Sequence, residues 1–137
     1  MSAVHVREEL VPLLNDVAAR SADFEQQRHI SDDIIARFKQ IGVYRALVPK
    51  IYGGEECSPA QFCELIEQIA TADGSAGWVA SFGMSPFYLG ALPPDTLKAL
   101  YRDGPDVVFA GGIFPPQKAV LADGGYRVSG RWGFASG

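Results

Sequence analysis

The residues with the clearest chemical potential lie in the last stretch of the chain, Tyr126-Arg127-Val128-Ser129-Gly130-Arg131-Trp132-Gly133-Phe134-Ala135-Ser136-Gly137. Read as a β-strand, it places Trp132, Phe134 and Ser136 on one face and the small residues Gly133, Ala135 and Gly137 on the other, because successive side chains alternate. Two aromatic planes followed by a hydroxyl suit a flat, partly polar ligand such as an isoalloxazine, with an aromatic against the ring and the hydroxyl reaching a ring nitrogen. The same pattern also fits a barrel strand that packs its aromatics into a core.

Other reactive side chains form no recognisable constellation. His5 and His29 have no cysteine or carboxylate spaced to make a metal site or a relay, so both read as solvated surface histidines. Ser75, Ser81, Ser85 and Ser136 have no histidine at a recognisable offset, and no Gly-x-Ser-x-Gly elbow is present, so hydrolase chemistry has no support. Gly111-Gly112 follows a β-rich run, yet no Gly-x-Gly-x-x-Gly opens a helix, which disfavours a nicotinamide site. Asp32-Asp33 is explained by a helix N-terminus and Glu55-Glu56 by a loop. Cys57 and Cys63, the two cysteines of the chain, read as reduced structural thiols.

The elements that must position the terminal stretch are mostly helical. Leu10, Leu14, Val17 and Phe24 recur at three- and four-residue steps and predict one helix over about 6–24, with Pro12 placing its ordered start near Val11. Ser31 caps a second helix with Asp32 and Asp33 in its first turn, Ile34, Ile35, Phe38 and Ile41 inside, and Gly42 as its stop. An extended or irregular connection over 43–48 and a turn-rich loop at Tyr52-Gly53-Gly54 follow. Ser58-Pro59-Ala60-Gln61 is a capping box for a third helix that buries Phe62, Leu65, Ile66 and Ile69. After the break at Ala72-Asp73-Gly74, Ser75 is the expected cap of a fourth helix reaching about Leu89, apolar all round and therefore buried on several sides, Trp78 included. Pro93-Pro94-Asp95 opens a short helix with Leu97, Leu100 and Tyr101 inside.

The pattern changes after Pro105, where 107–110, 118–121 and 126–128 read as strands, the last two joined by the turn Asp123-Gly124-Gly125. The expected organisation is a helical domain over 1–105 and the start of a second, strand-built domain over 106–137. A chain of 137 residues that is 47% hydrophobic and 20% charged has enough material for a real core. Its net charge of -4, with both signs mixed along the sequence, offers no basic stripe for nucleic acid. No apolar run approaches the ~20 residues that span a bilayer, and no secretory leader pattern is seen at Met1-Ser2-Ala3-Val4-His5, so a cytoplasmic protein is expected.

The order of the motifs resembles the acyl-CoA dehydrogenase superfamily: Gly42-Val43-Tyr44-Arg45-Ala46-Leu47-Val48-Pro49, then Tyr52-Gly53-Gly54, then Ala72-Asp73-Gly74-Ser75-Ala76-Gly77-Trp78, then the Gly-Gly-Tyr-Arg-Val ending with Trp132-x-Phe134-Ala135-Ser136-Gly137. Within it, the ending is most similar to the flavin-dependent monooxygenase branch, the oxygenase components of two-component aromatic hydroxylases. The resemblance implies a mainly α chain, with an acyl-CoA dehydrogenase-like helical N-terminal domain followed by the first strands of a β-barrel-like middle domain. It implies reduced flavin, FMN or FAD, as cofactor, an aromatic or polycyclic substrate, a separate flavin reductase and a homotetramer for the full-length protein. By position, Phe134 matches the aromatic on the flavin ring, Ser136 the hydroxyl near flavin N5 and Ala135 a backbone contact, with Trp132 beside them. Two departures are visible: Gln117 replaces the glycine of a Pro-x-Gly-x-Ala pattern at 115–119, and Met84-Ser85-Pro86 stands near the place of a substrate-side histidine in several aromatic hydroxylases. The 137-residue chain alone is expected to be inactive. The alternatives are an acyl-CoA dehydrogenase proper, which abstracts an α-proton and passes hydride to FAD, and a non-enzymatic helical interaction module.

Overall fold

The computed structural model describes residues 3–112 and 114–133. Its helices are α1 (Ala3–Ala19), α2 (Ser21–Gln27), α3 (Asp32–Gln40), α4 (Pro59–Ala72), α5 (Gly74–Ser81), α6 (Ser85–Leu89) and α7 (Pro94–Leu100), followed by the strands β1 (Ala119–Ala122) and β2 (Gly125–Val128).

The single helix expected over 6–24 is two helices. The chain leaves helical geometry at Arg20 (φ -104°, ψ 9°) and restarts as α2. Nor does Pro12 mark the start, since α1 reaches back to Ala3 and holds Pro12 in its interior. A mid-helix proline costs about 3 kcal/mol. What offsets it is tertiary: Leu10, Leu13 and Val17 are buried in the main core, where α1 meets α3 and α4. Ion pairs Arg37–Asp16 at 2.7 Å and Arg20–Asp33 at 2.6 Å lace the surface of this junction.

Ser31 stands at the N-cap of α3 as expected, but its hydroxyl accepts from Gln27 Nε2 at 2.8 Å instead of from the helix backbone. Ile34, Phe38 and Ile41 are buried, and Gly42 turns the chain out at φ 89°. The following 43–48 stretch is not extended. It opens with a 3-10 turn (Val43–Arg45) and buries Val43, Tyr44, Ala46 and Val48. Its carbonyls are taken by the loop that returns alongside it, with Glu55, Glu56 and Cys57 N–H donating to Arg45, Val48 and Ala46. A Cβ on Gly54 would fall 1.9 Å from the Val48 carbonyl oxygen, so glycine is the residue this approach admits.

The capping box of α4 forms in full: Ser58 Oγ accepts from Gln61 N at 3.2 Å and Gln61 Oε1 accepts from Ser58 N at 2.9 Å. The cap of α5 is Asp73, two residues before the expected Ser75. Asp73 Oδ1 accepts from Ala76 N at 2.8 Å while Oδ2 accepts from Ser21 Oγ at 2.5 Å, so one carboxylate starts α5 and ties it to α2. Helix α5 lies on α4 through small residues, with Ala76, Gly77 and Ala80 buried. The fourth helix does not run unbroken to Leu89. A 3-10 turn (Phe82–Met84) separates α5 from α6, and Trp78, expected inside, is 61% exposed. An all-apolar helix pattern does not say which sides neighbours cover. Leu100 is likewise exposed, whereas Tyr101 is buried with Val48 and Leu89 in a second small core, its ring stacked on Tyr52 at 5.2 Å.

The β-rich run 107–110 forms no strand, whereas the expected hairpin does form. β1 and β2 pair antiparallel with Leu121 opposite Tyr126, around a turn with Gly124 at φ 76°. All its residues are exposed, Leu121 at 77% and Tyr126 at 72%. Among the described residues no helix is long and apolar enough to cross a membrane.

A Cβ on Gly77 would meet Ala70 Cβ at 2.4 Å and Ala70 Cα at 2.6 Å. Gly77→Ala is therefore expected to destabilise the chain by about 1–3 kcal/mol in urea unfolding, through overpacking. Burial pushes the Tyr44 phenol from 10.0 up to about 12. The stability its neutral form contributes is complete below pH 10.0 and is lost as pH rises through about 12. In an alkaline titration followed by phenolate absorbance, a tyrosine step should appear near pH 12, and Tyr44→Phe should remove it.

Candidate functional site

Two segments far apart in sequence meet at Ser85. The first is the break between α5 and α6. Pro86 has no N–H, so the Phe82 carbonyl cannot receive the usual helical bond from four residues on. The Ser85 backbone N–H donates to that carbonyl in a 3-10 turn, and the Ser85 hydroxyl donates to it as well, at 2.6 Å. The second segment is the irregular run after Pro105. Phe109 N–H donates to the same Ser85 Oγ at 2.8 Å. Ser85 is 1% exposed, so its hydroxyl faces protein on every side.

The upstream end of the second segment is held by Arg45. Its guanidinium donates to the Lys39 carbonyl at 2.6 Å and the Gln40 carbonyl at 3.2 Å, at the C-terminus of α3, and to Glu55 Oε1 at 3.3 Å. The same group reaches Asp106 Oδ2 at 3.3 Å. Cations are favourable at a helix C-terminus, and a planar fork can serve several acceptors at once. Arg45 thus joins α3, the 53–57 loop and the start of the 106–112 run.

Beside the Ser85 anchor lies a cleft of about 340 Å³ lined by Phe82, Met84, Ser85, Tyr88, Phe109, Gly111 and Gly112. Tyr88 and Phe109 are half-exposed, with ring centroids 6.0 Å apart and planes inclined at 32°. A Cβ on Gly111 would come 3.2 Å from the Phe109 ring, so a bare backbone lets that ring settle. A cleft with apolar walls and few polar atoms can bind an aromatic ring by its faces. Phe82 also borders a cleft of about 500 Å³ that includes Arg28, Lys39, Tyr44 and Trp78.

Of the residues expected at the site, Trp132 lies in the irregular chain after β2, 37% exposed, and does not line the cleft at Ser85. Phe134, Ala135 and Ser136 lie outside the described residues. His29 is exposed, its Nδ1 2.9 Å from the Gln27 carbonyl, and among the described residues no group of three His, Cys, Asp or Glu could hold a metal ion. Cys57 and Cys63 are free thiols; burial, with the Glu55 charge adding to it, pushes Cys57 up and makes it a poor nucleophile. Sequence reasoning passed over Ser85 and Phe109. The available signal was Ser85-Pro86 inside a helical pattern, where proline frees a carbonyl that the preceding hydroxyl can satisfy.

Ser85→Ala should leave the Phe109 N–H without its partner and the Phe82 carbonyl with the Ser85 backbone N–H alone, lowering stability by about 1–3 kcal/mol, with Ser85→Thr retaining most of it. Thermal and urea unfolding of the two variants measure this.

Residues 5–91 match the model of the acyl-CoA dehydrogenase N-terminal domain. Over 119 residues the chain is 66% identical to the indole-3-acetate monooxygenase of Acinetobacter baumannii, an alignment covering 87% of this chain and 31% of that protein. Over 117 residues it is 35% identical to the oxygenase component of the FADH(2)-dependent resorcinol hydroxylase of Rhizobium sp., covering 82% of this chain and 28% of that one. The crystal structure of 3-HSA hydroxylase from Rhodococcus sp. RHA1 is similar with a TM-score of 0.87 at 30% identity, covering 95% of this chain and 35% of that chain. The chain therefore spans about a third of the length of these relatives. With the family match running from α1 through α6 and taking in Ser85, the chain belongs to the acyl-CoA dehydrogenase family by its N-terminal domain.

Proposed function

We propose that this chain is the N-terminal part of a reduced-flavin-dependent monooxygenase that hydroxylates an aromatic or polycyclic small molecule. The observation that carries the reading is 66% identity over 87% of the chain to a protein named indole-3-acetate monooxygenase; the FADH(2) in the name of the Rhizobium relative and the aromatic-walled cleft at Ser85 support it. We further propose a division into a helical domain over 1–105 and the opening of a β-barrel-like middle domain over 106–137.

The cofactor in this reading is reduced flavin, FMN or FAD, and the FADH(2) in the name of the Rhizobium relative favours FAD. Trp132, Phe134, Ala135 and Ser136 are its proposed contacts. The part of this stretch that the structure describes fits, because the Trp132 indole retains accessible surface for a flat ring. Trp132 and Phe134 would cover ring faces, Ala135 would supply backbone polar groups, and the Ser136 hydroxyl would hydrogen-bond at ring N5. Flavin supplies the oxygen activation when bound. The chain's own contribution is positioning and exclusion of water: Phe82, Tyr88 and Phe109 would hold the substrate ring in an apolar cleft. The designation of such relatives as oxygenase components supports a separate flavin reductase as partner. A homotetramer and a cytoplasmic location complete the proposal.

The test is an assay of the protein extended by the remaining length its relatives possess, given reduced flavin, oxygen and an indole-type acid. Hydroxylated product is expected, and none from the 137-residue chain alone. Oxidation of an acyl-CoA with flavin reduction, and no hydroxylation, would establish the dehydrogenase reading instead. In that protein Trp132→Ala and Ser136→Ala should each weaken reduced-flavin binding by about tenfold, the worth of one stacking or hydrogen-bond contact. Unchanged affinity in both removes the assignment of this stretch.

A further inference from the structure

We infer that the cleft lined by Arg28, Lys39, Tyr44, Trp78 and Phe82 binds a planar aromatic carboxylate, with its ring against Trp78 and Phe82, its carboxylate at the two cations, and the Tyr44 hydroxyl as a further donor. This cleft is not the one at Ser85, although Phe82 borders both. The inference concerns binding and stands whether or not the ligand is hydroxylated.

The first observation is a buried hydroxyl that the protein leaves unpaired. Tyr44 is 2% exposed, and its hydroxyl makes no hydrogen bond among the described residues. Among those residues the side-chain oxygen that is sealed and without a partner is Asp106 Oδ1, so the Tyr44 oxygen is not sealed. The cleft that Tyr44 lines, about 500 Å³, gives it access. An unpaired hydroxyl in such a place costs free energy that a ligand acceptor removes. Burial pushes the phenol up to about 12, so at neutral pH it is a donor, the role a carboxylate needs.

The second observation is the sign of the charge. The chain has 16 acidic and 12 basic residues. Yet the charged side chains on this cleft are Arg28 and Lys39, with His29 beside them and no carboxylate in the described lining. Arg20, Arg37 and Arg45 are all engaged with carboxylates, whereas neither Arg28 nor Lys39 has a side-chain partner among the described residues. The neighbouring cleft of about 400 Å³, which shares Arg28 and Trp78, carries Glu25 and does not fit an anion as well.

Trp78 supplies the third. It is 61% exposed, and the Phe82 ring stands 5.6 Å away at 88° to it. Two rings at right angles form a corner that offers a face and an edge to a flat ligand. Ile30, Ile35, Val79 and Val108 complete an apolar lining, so the polar groups are few and placed, as in small-molecule sites.

Equilibrium dialysis of the 137-residue chain without flavin, against indole-3-acetate, indole-3-acetamide and tryptamine, compares one ring with three charges. The acetate should bind about tenfold more tightly than the acetamide, the worth of one carboxylate–cation contact, and tryptamine should bind most weakly. Arg28→Gln combined with Lys39→Gln should erase the acetate preference and leave acetamide binding and the thermal midpoint in place, since both side chains are exposed. Tyr44→Phe should weaken acetate and acetamide alike, by about fivefold. Raising ionic strength from about 0.01 M to about 1 M should erase the same preference in the unsubstituted chain, so the result does not hang on a variant that folds. Equal binding of acetate and acetamide, a preference that survives the double substitution, or binding of none of the three overturns the inference. So does loss of acetate binding in the protein extended by the remaining length its relatives possess, which would give the cleft to the protein's own chain. The flavin assignment is decided separately, by the Trp132 and Ser136 variants.

Discussion

The absent N–H of Pro86 organises the centre of this structure. A helix continued through Pro86 would deny the Phe82 carbonyl its usual donor, and the chain tightens here into a 3-10 turn in which the Ser85 N–H donates to that carbonyl instead. The Ser85 hydroxyl adds a second donor to the same carbonyl, and its oxygen receives the Phe109 amide from a segment 24 residues away. One hydroxyl therefore both supports a helix break and fastens the segment that follows α7. The cleft between Phe82, Tyr88 and Phe109 exists because these two tasks fall to one atom.

That arrangement depends on close packing beneath it. The turn at Phe82–Met84 can sit where it does because Gly83 has no side chain. A Cβ there would approach the Val43 carbonyl oxygen to 2.6 Å and the Phe62 ring to 2.9 Å. Gly77 performs the same service where α5 crosses Ala70 of α4. Small residues bring the two helices together, while Asp73, capping α5 and receiving Ser21, fixes where α5 begins. Arg45 adds an electrostatic tie from the end of α3 to Asp106. The functional wall is thus held from both ends by side chains that belong to the helical core.

Much of this was legible locally. The capping box at Ser58 and Gln61, the stripe Ile34, Phe38 and Ile41, the stop at Gly42 and the hairpin turn at Gly124 follow from short-range chemistry, and all of them form. Readings that failed are those in which a distant partner decides. Pro12 lies inside α1 because Leu10, Leu13 and Val17 are packed by other helices, and Arg20 breaks a stripe that continued through it in the sequence. Asp73 outcompetes Ser75 as cap with Ser21 bonded to its second oxygen. Trp78 is exposed although its helix reads apolar on every side. The 107–110 run had strand composition, but it forms no strand among the described residues, and its Phe109 amide bonds a serine.

By itself, the sequence determined the helical class, most element starts and stops, the order of parts that marks the family, and the stretch from Trp132 to Ser136 as a flavin candidate. These depend on side-chain periodicity, capping and turn chemistry within a few residues of one another. Tertiary structure alone decided that Ser85 touches Phe109, that Arg45 holds Asp106, and that an aromatic cleft opens between them. Such contacts join positions 24 and 61 residues apart, and no local periodicity carries the information about which distant backbone group will meet a given hydroxyl or guanidinium.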